Sequence, residues 1–334
     1  MLPTLLEVVR QLKTEQNNAE RWAKQHFQTV EDGCFSARAI NQEEFILAPY
    51  PEFGALIYRG QNQFYEPCLP SLGREKPTKV ERLINTVRLA EFELLLANHP
   101  AVQDCQQWSL MGLRFKVDYE ALAQHYLLKT GLLDFSSNPV VAAFFACSEF
   151  NYDEQTYRPI LSDRRPPGVL YRLNAAADIS VRYDNPYSGT VGFQPLRRPA
   201  EQYAWSYRLP KRASLNSQRF LSIYEFIHSP KDSIAVFEVF EGGTKLFPHD
   251  IVSVKAQQVI ATKRLSREAL ELAISRSKST WKKHSAMNAF ARKGVEVTDK
   301  SEIMFSPQEL VEMRSDWDTR RPDLISRIRW RLAR

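Results

Sequence analysis

The sequence lacks any apolar run of the roughly 18 to 20 residues that a membrane-spanning helix requires. Its first residues include the acidic Glu7, and no small-residue cleavage site follows an apolar stretch, so we expect no secretory leader. Internal repeats and low-complexity tracts are also missing from the sequence. These absences predict a cytoplasmic protein that folds around a core and has no membrane partner.

Cysteine is scarce and widely spaced. The four cysteines, at positions 34, 68, 105 and 147, are separated from one another by more than 30 residues. This spacing fits neither a CxxC metal motif nor a compact disulfide framework. We therefore expect free thiols, most of them buried, and no metal site.

Positive charge is concentrated in the C-terminal part of the 334 residues. Residues 262–334 carry 17 Lys or Arg and 10 Asp or Glu, a net charge of +7, whereas residues 1–261 carry 28 and 29. Seven arginines between positions 314 and 334 alternate with aromatic and aliphatic residues. Such a segment could contact the phosphates of a nucleic acid or bind an acidic protein partner. The alternative is an amphipathic terminal helix that packs on the protein and leaves its arginines solvated.

Hydrophobic periodicity indicates both helices and strands. Apolar side chains recur at helical spacing in residues 4–29, 79–97, 267–277 and 306–317, and a further helix is predicted to begin after an Asp118 cap and to end near residue 129. Short apolar runs typical of strands occupy residues 55–59, 131–137, 168–174, 219–227 and 233–240. The sequence predicts an α+β fold, a small mixed sheet with flanking helices. A helical N-terminal extension (1–49) and a basic helical C-terminal segment (261–334) enclose the main domain (50–260).

The stretch GLLDFSSNPVVAAFFAC, residues 131–147, joins an apolar extended segment to a helix that is apolar on nearly all sides. Asn138 is a predicted N-cap, and Pro139 takes the first helical position, where its missing N–H costs nothing. A helix of this composition must be packed on most of its faces by the rest of the domain.

Three motifs carry a resemblance to a known family: IYRGQ at 57–61, ALAQHYLLKTGLLDFSSNPVVAAFFA at 121–146 and RASLNSQRF at 212–220. Together they resemble the FRG-domain family, over roughly residues 50–260, and this implies an FRG-like fold there. The chain departs from the residues usual in that family at five positions. These are Leu127 in place of Gly, Gly131 in place of Arg, Phe135 in place of Trp, Ser136 in place of Thr and Asn216 in place of Gln.

Arg59 ends a predicted buried strand. Burying a guanidinium is unfavourable unless it meets an anion, and its planar fork suits a phosphate, a pyrophosphate or a carboxylate. The alternative is a partly buried salt bridge to Asp134 or to a glutamate. We favour the hypothesis that Asp134 orients Arg59 while Ser136 and Ser137 present hydroxyls to a ligand.

A strand-end arginine, a strand ending in two serines and a later strand preceded by a polar triplet also resemble ADP-ribosyltransferases of the Arg-Ser-Glu type. The resemblance implies an NAD-dependent transferase in which a glutamate stabilises positive charge as the glycosidic bond breaks. Gln218 lies where that family has a glutamate, so Glu225 and Glu238 are the available carboxylates, although a glutamate in such a position is more often a solvent-facing strand residue. His125 is a candidate acid or base, or alternatively a helix-end residue that packs against Tyr126.

The candidate catalytic residues are therefore Glu225, Glu238 and His125. The candidate nucleotide-binding residues are Arg59, Gln61, Asp134, Ser136, Ser137 and Gln218. Three functions fit these residues: an NAD-dependent ADP-ribosyltransferase-like effector or toxin, for instance in phage defence; a non-catalytic module that binds a nucleotide or another anion; and a nucleic-acid-associated protein. Whether the chain is an enzyme is left open by the sequence.

Overall fold

The structure is a computed structural model that describes most of the chain. The described residues are 2–26, 35–49, 56–74, 76–151, 154, 156–175, 177, 189–190, 195–210, 213–276, 281–326 and 328–333. Within them the α-helices are α1 (Leu5–His26), α2 (Ser71–Arg74), α3 (Lys79–Leu96), α4 (Pro100–Gln106), α5 (Tyr119–His125), α6 (Pro139–Ala146), α7 (Arg197–Glu201), α8 (Pro230–Val239), α9 (Ile251–Ala261), α10 (Arg267–Arg276), α11 (Lys283–Ala291) and α12 (Pro307–Ser326).

The strands are β1 (Phe35–Ala39), β2 (Glu44–Pro49), β3 (Leu56–Gln61), β4 (Ser109–Leu110), β5 (Leu113–Phe115), β6 (Leu132–Ser136), β7 (Ser148–Asn151), β8 (Thr156–Pro159), β9 (Gly168–Asn174), β10 (Gly189–Thr190), β11 (Ala204–Arg208), β12 (Leu221–Phe226), β13 (Arg264–Ser266), β14 (Glu296–Thr298) and β15 (Ile328–Ala333). This mixture of helices with separate sheets confirms the predicted α+β class.

The largest sheet has six strands in the order β10-β11-β6-β3-β9-β12, and each pair of neighbours is antiparallel. Parallel pairing occurs instead in a five-stranded sheet of order β15-β1-β2-β5-β4, where β1 lies parallel to β15 and β2 to β5. The strands predicted at 55–59, 131–137 and 168–174 lie in the six-stranded sheet, so the sheet that carries Arg59 is antiparallel and not mixed as predicted. Two short pairs, β13 with β14 and β7 with β8, complete the strands of the described residues.

The six-stranded sheet has a different hydrophobic core on each face. Because strand side chains alternate between faces, Tyr58 and Leu170 join α1, α6 and α8 in one core, while Ile57 and Tyr171 belong to the other. The helix α6 is buried along almost its whole length, as its composition predicts. Asn138 caps it by accepting a hydrogen bond from the backbone N–H of Val140 at 2.9 Å.

Gly60 is the point where α6 lies against β3. A Cβ atom at this position would stand 1.8 Å from the carbonyl oxygen of Ala142 and 2.8 Å from the backbone nitrogen of Ala146. Only a residue without a side chain allows the helix backbone to come this close to the strand. The glycine of the IYRGQ motif is therefore required by packing.

The terminal segments are not wholly helical. The predicted N-terminal extension contains α1 but also β1 and β2, and the last described residues form β15, which pairs with β1. The alternation of apolar and basic residues at 328–332 (IRWRL) is a period-two pattern, which favours a strand over the predicted helix. The boundaries of the main domain at 50 and 260 remain predictions.

Two local predictions were wrong. Residues 233–240 were predicted as a strand, but residues 233–239 belong to α8, which begins with a Ser229 cap and Pro230 at its first position. The helix α5 ends at His125 instead of near residue 129, because Leu127 adopts a left-handed conformation with φ of 68°. Capping and turn signals outweighed the apolar runs in both segments.

The cysteines at 68, 105 and 147 are free and buried, and the fourth, at position 34, lies outside the described residues. None of the described helices is both long and apolar enough to cross a membrane.

Candidate functional site

The strands β3 and β6 meet at a single register pair, Tyr58 with Ser136, whereas β3 pairs with β9 along its full length. Beyond Tyr58 the two strands separate. The half-buried side chain of Arg59 lies in this gap, and its Nη1 donates to the carbonyl oxygen of Asp134 at 2.8 Å. The side chain of Arg59 thus links β3 to β6 at a point where the two strands no longer form backbone hydrogen bonds with each other.

The carboxylate of Asp134 does not orient Arg59, in contrast to our sequence-based hypothesis. Tyr58 and Ser136 are register partners, so alternation places Asp134 on their face of the sheet and Arg59 on the opposite face. The guanidinium therefore reaches the main chain of Asp134 and not its side chain. A salt bridge between these two residues, the alternative left open by the sequence, is absent from the structure as well.

Arg59 has a second arginine for a neighbour. The Nε of Arg74 donates to the carbonyl oxygen of Leu69 at 2.9 Å, and the Nε of Arg59 is buried without a hydrogen-bond partner. The pKa of Arg74 is lowered, first by the surrounding protein atoms and then by the positive charge of Arg59. Neither arginine forms an ion pair with a carboxylate among the described residues. The negative charge of Asp134 acts on Arg74 in the opposite direction and raises its pKa, but it forms no ion pair with either guanidinium.

His125 faces the carboxylate of Asp134. The Nδ1 of His125 lies 2.7 Å from Oε1 of Gln202, whose own amide nitrogen donates to the carbonyl oxygen of Leu246 at 2.9 Å. This arrangement assigns the proton of the neutral imidazole to Nδ1 and leaves Nε2 as an acceptor. Nε2 lies 3.8 Å from Oδ1 of Asp134, and both atoms are buried without a hydrogen-bond partner. With a neutral imidazole both atoms are acceptors, and the space between them then suits a hydroxyl or another donor group.

Gln124 adds a further unpaired atom to the same strand. Its Nε2 donates to the carbonyl oxygen of Leu132 at 2.9 Å, while its Oε1 is buried and unpaired. We define the β6 polar cluster as Arg59, Arg74, Gln124, His125 and Asp134. Buried polar atoms are normally satisfied, so a group of unsatisfied ones on adjoining elements is typical of a site that binds a ligand or water.

The two serines are tied into the fold. Ser136 is buried, and its hydroxyl donates to the carbonyl oxygen of Gln202 at 2.8 Å and accepts from the backbone N–H of Asn138 at 3.0 Å. Ser137 forms main-chain bonds, its N–H donating to Tyr203 and its carbonyl accepting from Gln16. The Ser136 hydroxyl stabilises the turn into α6 and is already committed to two hydrogen bonds.

The two glutamines predicted as ligand contacts are buried and have internal partners. Gln61 accepts from the thiol of Cys68 at 3.5 Å. Gln218 donates to the carbonyl oxygen of Ser214 at 2.7 Å and accepts from the hydroxyl of Tyr207 at 3.4 Å. Both residues lie on the Arg59 side of the sheet, but the structure brings neither into the β6 polar cluster.

The two candidate glutamates lie on different sides of the sheet. Glu225 is in register with Val169, which is in register with Gln61, so Glu225 shares the face of Arg59. It is exposed on the edge strand, two strands from β3, which corresponds to about 10 Å. Glu238 is exposed on α8, whose buried residues pack with α6 against the opposite face.

Sequence reasoning missed three residues of this region. Gln124 could have been found, because it directly precedes His125 in the second motif. Arg74 ends a four-residue helix, and Gln202 lies in a turn, so no periodic pattern marks either position. Two exposed aromatic residues that follow β3, Phe64 and Tyr65, were also passed over; they are 42% and 41% exposed.

Two of the described arginines near the C-terminus form ion pairs. Arg320 forms one with Asp316 at 2.8 Å, and Arg321 forms one with Asp104 at 2.7 Å. Trp317 of the same helix is buried against the domain, as the amphipathic-helix alternative predicts for this part of the segment. The side chains of residues 329–333 lie outside the described part, so a nucleic-acid or acidic protein partner for this segment stays a prediction.

The family model of the FRG domain matches residues 54–155. The chain contains an FRG domain. No curated protein and no solved structure matches the chain. The matched segment runs from β3 to the β7–β8 hairpin and includes every residue of the β6 polar cluster, whereas Gln202 and Glu225 lie beyond it.

Two of the departures from the usual FRG residues have a structural explanation. Leu127, where glycine is usual, is the residue with φ of 68°, a conformation that glycine adopts without strain. Gly131, where arginine is usual, lies beside Arg208 of β11, whose Nη1 would be 3.4 Å from a Cβ at position 131. Arg208 forms an ion pair with Glu120, which also accepts from the N–H of Gly131 at 3.0 Å. A guanidinium is therefore present at this place from another strand.

Proposed function

We propose that the FRG domain of this chain binds a nucleotide through the β6 polar cluster, with a phosphate group at Arg59 and Arg74. The observation that carries the proposal is a pair of neighbouring arginines, Arg59 with its Nε unpaired, neither of which forms an ion pair with a carboxylate of the described residues. Like charges in a partly desolvated site are unfavourable, and an anion between them converts repulsion into two charge-assisted contacts. The fork of Arg59 also keeps its Nε free for a bidentate contact.

One further feature favours a nucleotide over a simple anion. Tyr65 is exposed and lies close enough to Arg74 to influence its pKa, so an aromatic ring is available beside the proposed phosphate position to stack on a base. The acceptors His125 Nε2 and Asp134 Oδ1 lie on the opposite face of β6 and suit a separate donor group. NAD combines aromatic bases with linked phosphates, and it is the nucleotide that we propose to test first.

Binding can be measured by titration calorimetry of the full chain with ADP, NAD and adenosine at low salt. Replacing Arg74 with glutamine should weaken ADP binding at least about tenfold, because a hydrogen bond to a charged group contributes about 1.5–3 kcal/mol. Arg59→Lys keeps the charge but loses the fork, and should also weaken binding. Adenosine should bind much more weakly than ADP, because it lacks the phosphate groups.

A charge-matched control is Arg114→Gln, which removes an exposed positive charge on β5. This variant should bind ADP like the wild-type chain. Equal ADP affinity in all three variants, or equal affinity of the wild-type chain for ADP and adenosine, would rule out a phosphate site at Arg59 and Arg74.

A second candidate function is NAD cleavage of the ADP-ribosyltransferase type. It is favoured by the register that sets Glu225 on the same face of the sheet as Arg59, with its carboxylate exposed. Such chemistry needs a carboxylate that can stabilise the developing positive charge of the ribose. His125 is not required for that role, since it faces Asp134 on the other side of the sheet from Arg59 and Glu225.

The two glutamates allow a matched test of this second function. If the chain consumes NAD, Glu225→Gln should lower the rate about 100-fold, on the order of the loss of one charge-stabilising group, and Arg59→Lys should lower it as well. Glu238→Gln, an equivalent change on the opposite face, should leave the rate unaltered. Equal loss in both glutamate variants would contradict a role for Glu225. Nucleotide binding without any NAD consumption would leave the domain as a non-catalytic binding module.

An effector or toxin role follows only if the second function holds. Expression of the chain in cells should then inhibit growth, and Arg59→Ala should relieve the inhibition while the protein still accumulates. Inhibition of equal strength by both forms would separate any toxicity from the β6 polar cluster.

A further inference from the structure

A second basic site lies away from the β6 polar cluster. A cleft of about 530 Å³ is bounded on one side by the first half of α3 and on the other by residues of the C-terminal segment. Ile84 of α3 and Val295, both buried, belong to one hydrophobic cluster and contribute to its lining. The cleft therefore has a packed apolar base and joins the FRG domain to a part of the chain outside the family match.

Four cations line this cleft, Arg88, Lys129, Lys263 and Lys293, against a single carboxylate, that of Glu81. Glu81 is already engaged, because it caps α3 through Thr78 and forms an ion pair with Lys293 at 3.0 Å. Its charge offsets that of Lys293, and Lys129 has an interaction partner of its own. Arg88 and Lys263 are the cations of the lining that form no ion pair among the described residues.

Arg88 is the most constrained of these cations. Its Nη2 donates to the carbonyl oxygen of Thr262 at 3.2 Å, while its Nε is buried without a hydrogen-bond partner. Burial also lowers the pKa of Arg88, so the surrounding atoms disfavour the charge that they enclose. An unpaired, partly desolvated guanidinium is stabilised when an anion enters beside it.

We infer that this cleft binds a small linear polyphosphate, a ligand with two or more linked phosphate groups. Cations reach it from both walls, Arg88 from α3 and Lys263 and Lys293 from the opposite side, so successive phosphates can be contacted from two directions. The volume lies within the range of about 300–1,000 Å³ that small-molecule sites occupy. A concave site of this size favours a compact ligand over the extended backbone of a nucleic acid, which is bound along a surface stripe.

The site can be tested on the full chain by calorimetric titration with inorganic triphosphate at low salt. Lys263→Gln is the informative variant, because Lys263 is exposed and forms no ion pair among the described residues, so the substitution should not disturb folding. We expect about a tenfold loss of affinity, equivalent to about 1.4 kcal/mol. Lys231→Gln, which removes an exposed charge from α8 outside the cleft, is the matched control and should bind like the wild-type chain.

Further titrations define the ligand. ATP that binds as tightly as triphosphate, or more tightly, supports the site and shows whether the phosphates are recognised alone or as part of a nucleotide. Arg74→Gln distinguishes this cleft from the proposed nucleotide site. It should leave the Lys263-dependent binding of triphosphate unchanged, whether or not ADP binds at Arg59 and Arg74.

Three results would overturn the inference. The first is wild-type protein that does not bind triphosphate, or that binds it with an affinity insensitive to Lys263→Gln. The second is orthophosphate that binds as tightly as triphosphate. The third is a short single-stranded oligonucleotide whose binding requires Lys263 and is not displaced by triphosphate. That result would assign the cleft to a nucleic acid.

Discussion

Replacing Gly60 with alanine should strongly destabilise the protein although only one methyl group is added. The new Cβ would stand 1.8 Å from the carbonyl oxygen of Ala142, whereas a carbon and an oxygen in contact normally lie roughly 3.3 Å apart. The helix α6 and the strand β3 would therefore have to separate by roughly 1.5 Å. Neither partner can yield by rotating a side chain, because the obstructing atoms belong to the helix backbone.

The cost follows from what α6 is packed against. Nearly all of its residues are buried, so a shift of this size opens gaps along the whole interface with β3, and gaps of even 0.5–1 Å lose a quarter to a half of each contact energy. Overpacking alone costs about 1–3 kcal/mol, and the added loss of contacts raises our expectation to about 3–5 kcal/mol. That is a large share of the roughly 5–15 kcal/mol that stabilises a typical domain.

Urea denaturation at 25 °C, followed by circular dichroism, measures this difference between wild type and variant. Gly73→Ala is the control, because its Cβ would lie 3.7 Å from Leu69 and thus in ordinary contact; its stability should match the wild type within about 0.5 kcal/mol. A Gly60→Ala protein less than about 1 kcal/mol below the wild type would refute the argument, since the helix would then tolerate the displacement.

Two further predictions concern stability. Leu127→Gly should leave the free energy of unfolding unchanged or raise it by up to about 1 kcal/mol in urea denaturation, because it removes a left-handed strain, whereas Leu127→Val should lower it. Burial lowers the pKa of His99 to about 4, and its Nδ1 accepts from the N–H of Ala101 as a helix cap. In the unfolded chain His99 takes up a proton near pH 6.5. The full stability is therefore present above that pH, and about 3 kcal/mol of the free energy of unfolding is lost as the pH falls towards 4. His99→Asn keeps a capping residue and should flatten this decline, whereas parallel stability profiles of variant and wild type would contradict the prediction.

Local signals of the sequence predicted the central elements well. The cap at Asn138 with Pro139 placed the start of α6, and the length and apolar pattern of residues 79–97 placed α3. These predictions held because capping chemistry and helical periodicity act within a few residues of one another. The same local chemistry explains the wrong prediction at 233–240, where the Ser229 cap and Pro230 were present in the sequence but an apolar run was given more weight.

The pairing of distant strands could not be predicted from such signals. Nothing local to β1 or β15 shows that the two lie side by side, since their register joins residues nearly 300 positions apart. The same holds for His125 and Gln202, which are 77 residues apart and fix the imidazole tautomer. Site residues brought together by tertiary contacts are visible only when a motif contains them, as the second motif contains Gln124.

The predicted contact between Arg59 and Asp134 failed because the two side chains lie on opposite faces of the sheet. Arg59 and Asp134 were expected to touch through their charges, but a single register pair, Tyr58 with Ser136, sets their side chains on opposite faces. Asp134 therefore faces His125 while Arg59 faces Arg74. The predicted ion pair is thus absent, and two separate polar groups lie on either side of β6. The two arginines would bind an anion, whereas His125 and Asp134 would bind a hydrogen-bond donor.

The IYRGQ motif joins the packing of the fold to the chemistry of the site. Gly60 lets α6 lie directly on β3, and the helix then occupies the space above the strand just where β3 stops pairing with β6. The gap between those strands receives the side chain of the preceding residue, Arg59, which closes it by donating to the carbonyl of Asp134. A larger residue at position 60 would displace the helix and with it the turn at Asn138 that follows β6. The position of the guanidinium thus depends on a glycine that touches no ligand, and a variant that moves α6 should weaken phosphate binding before it unfolds the domain.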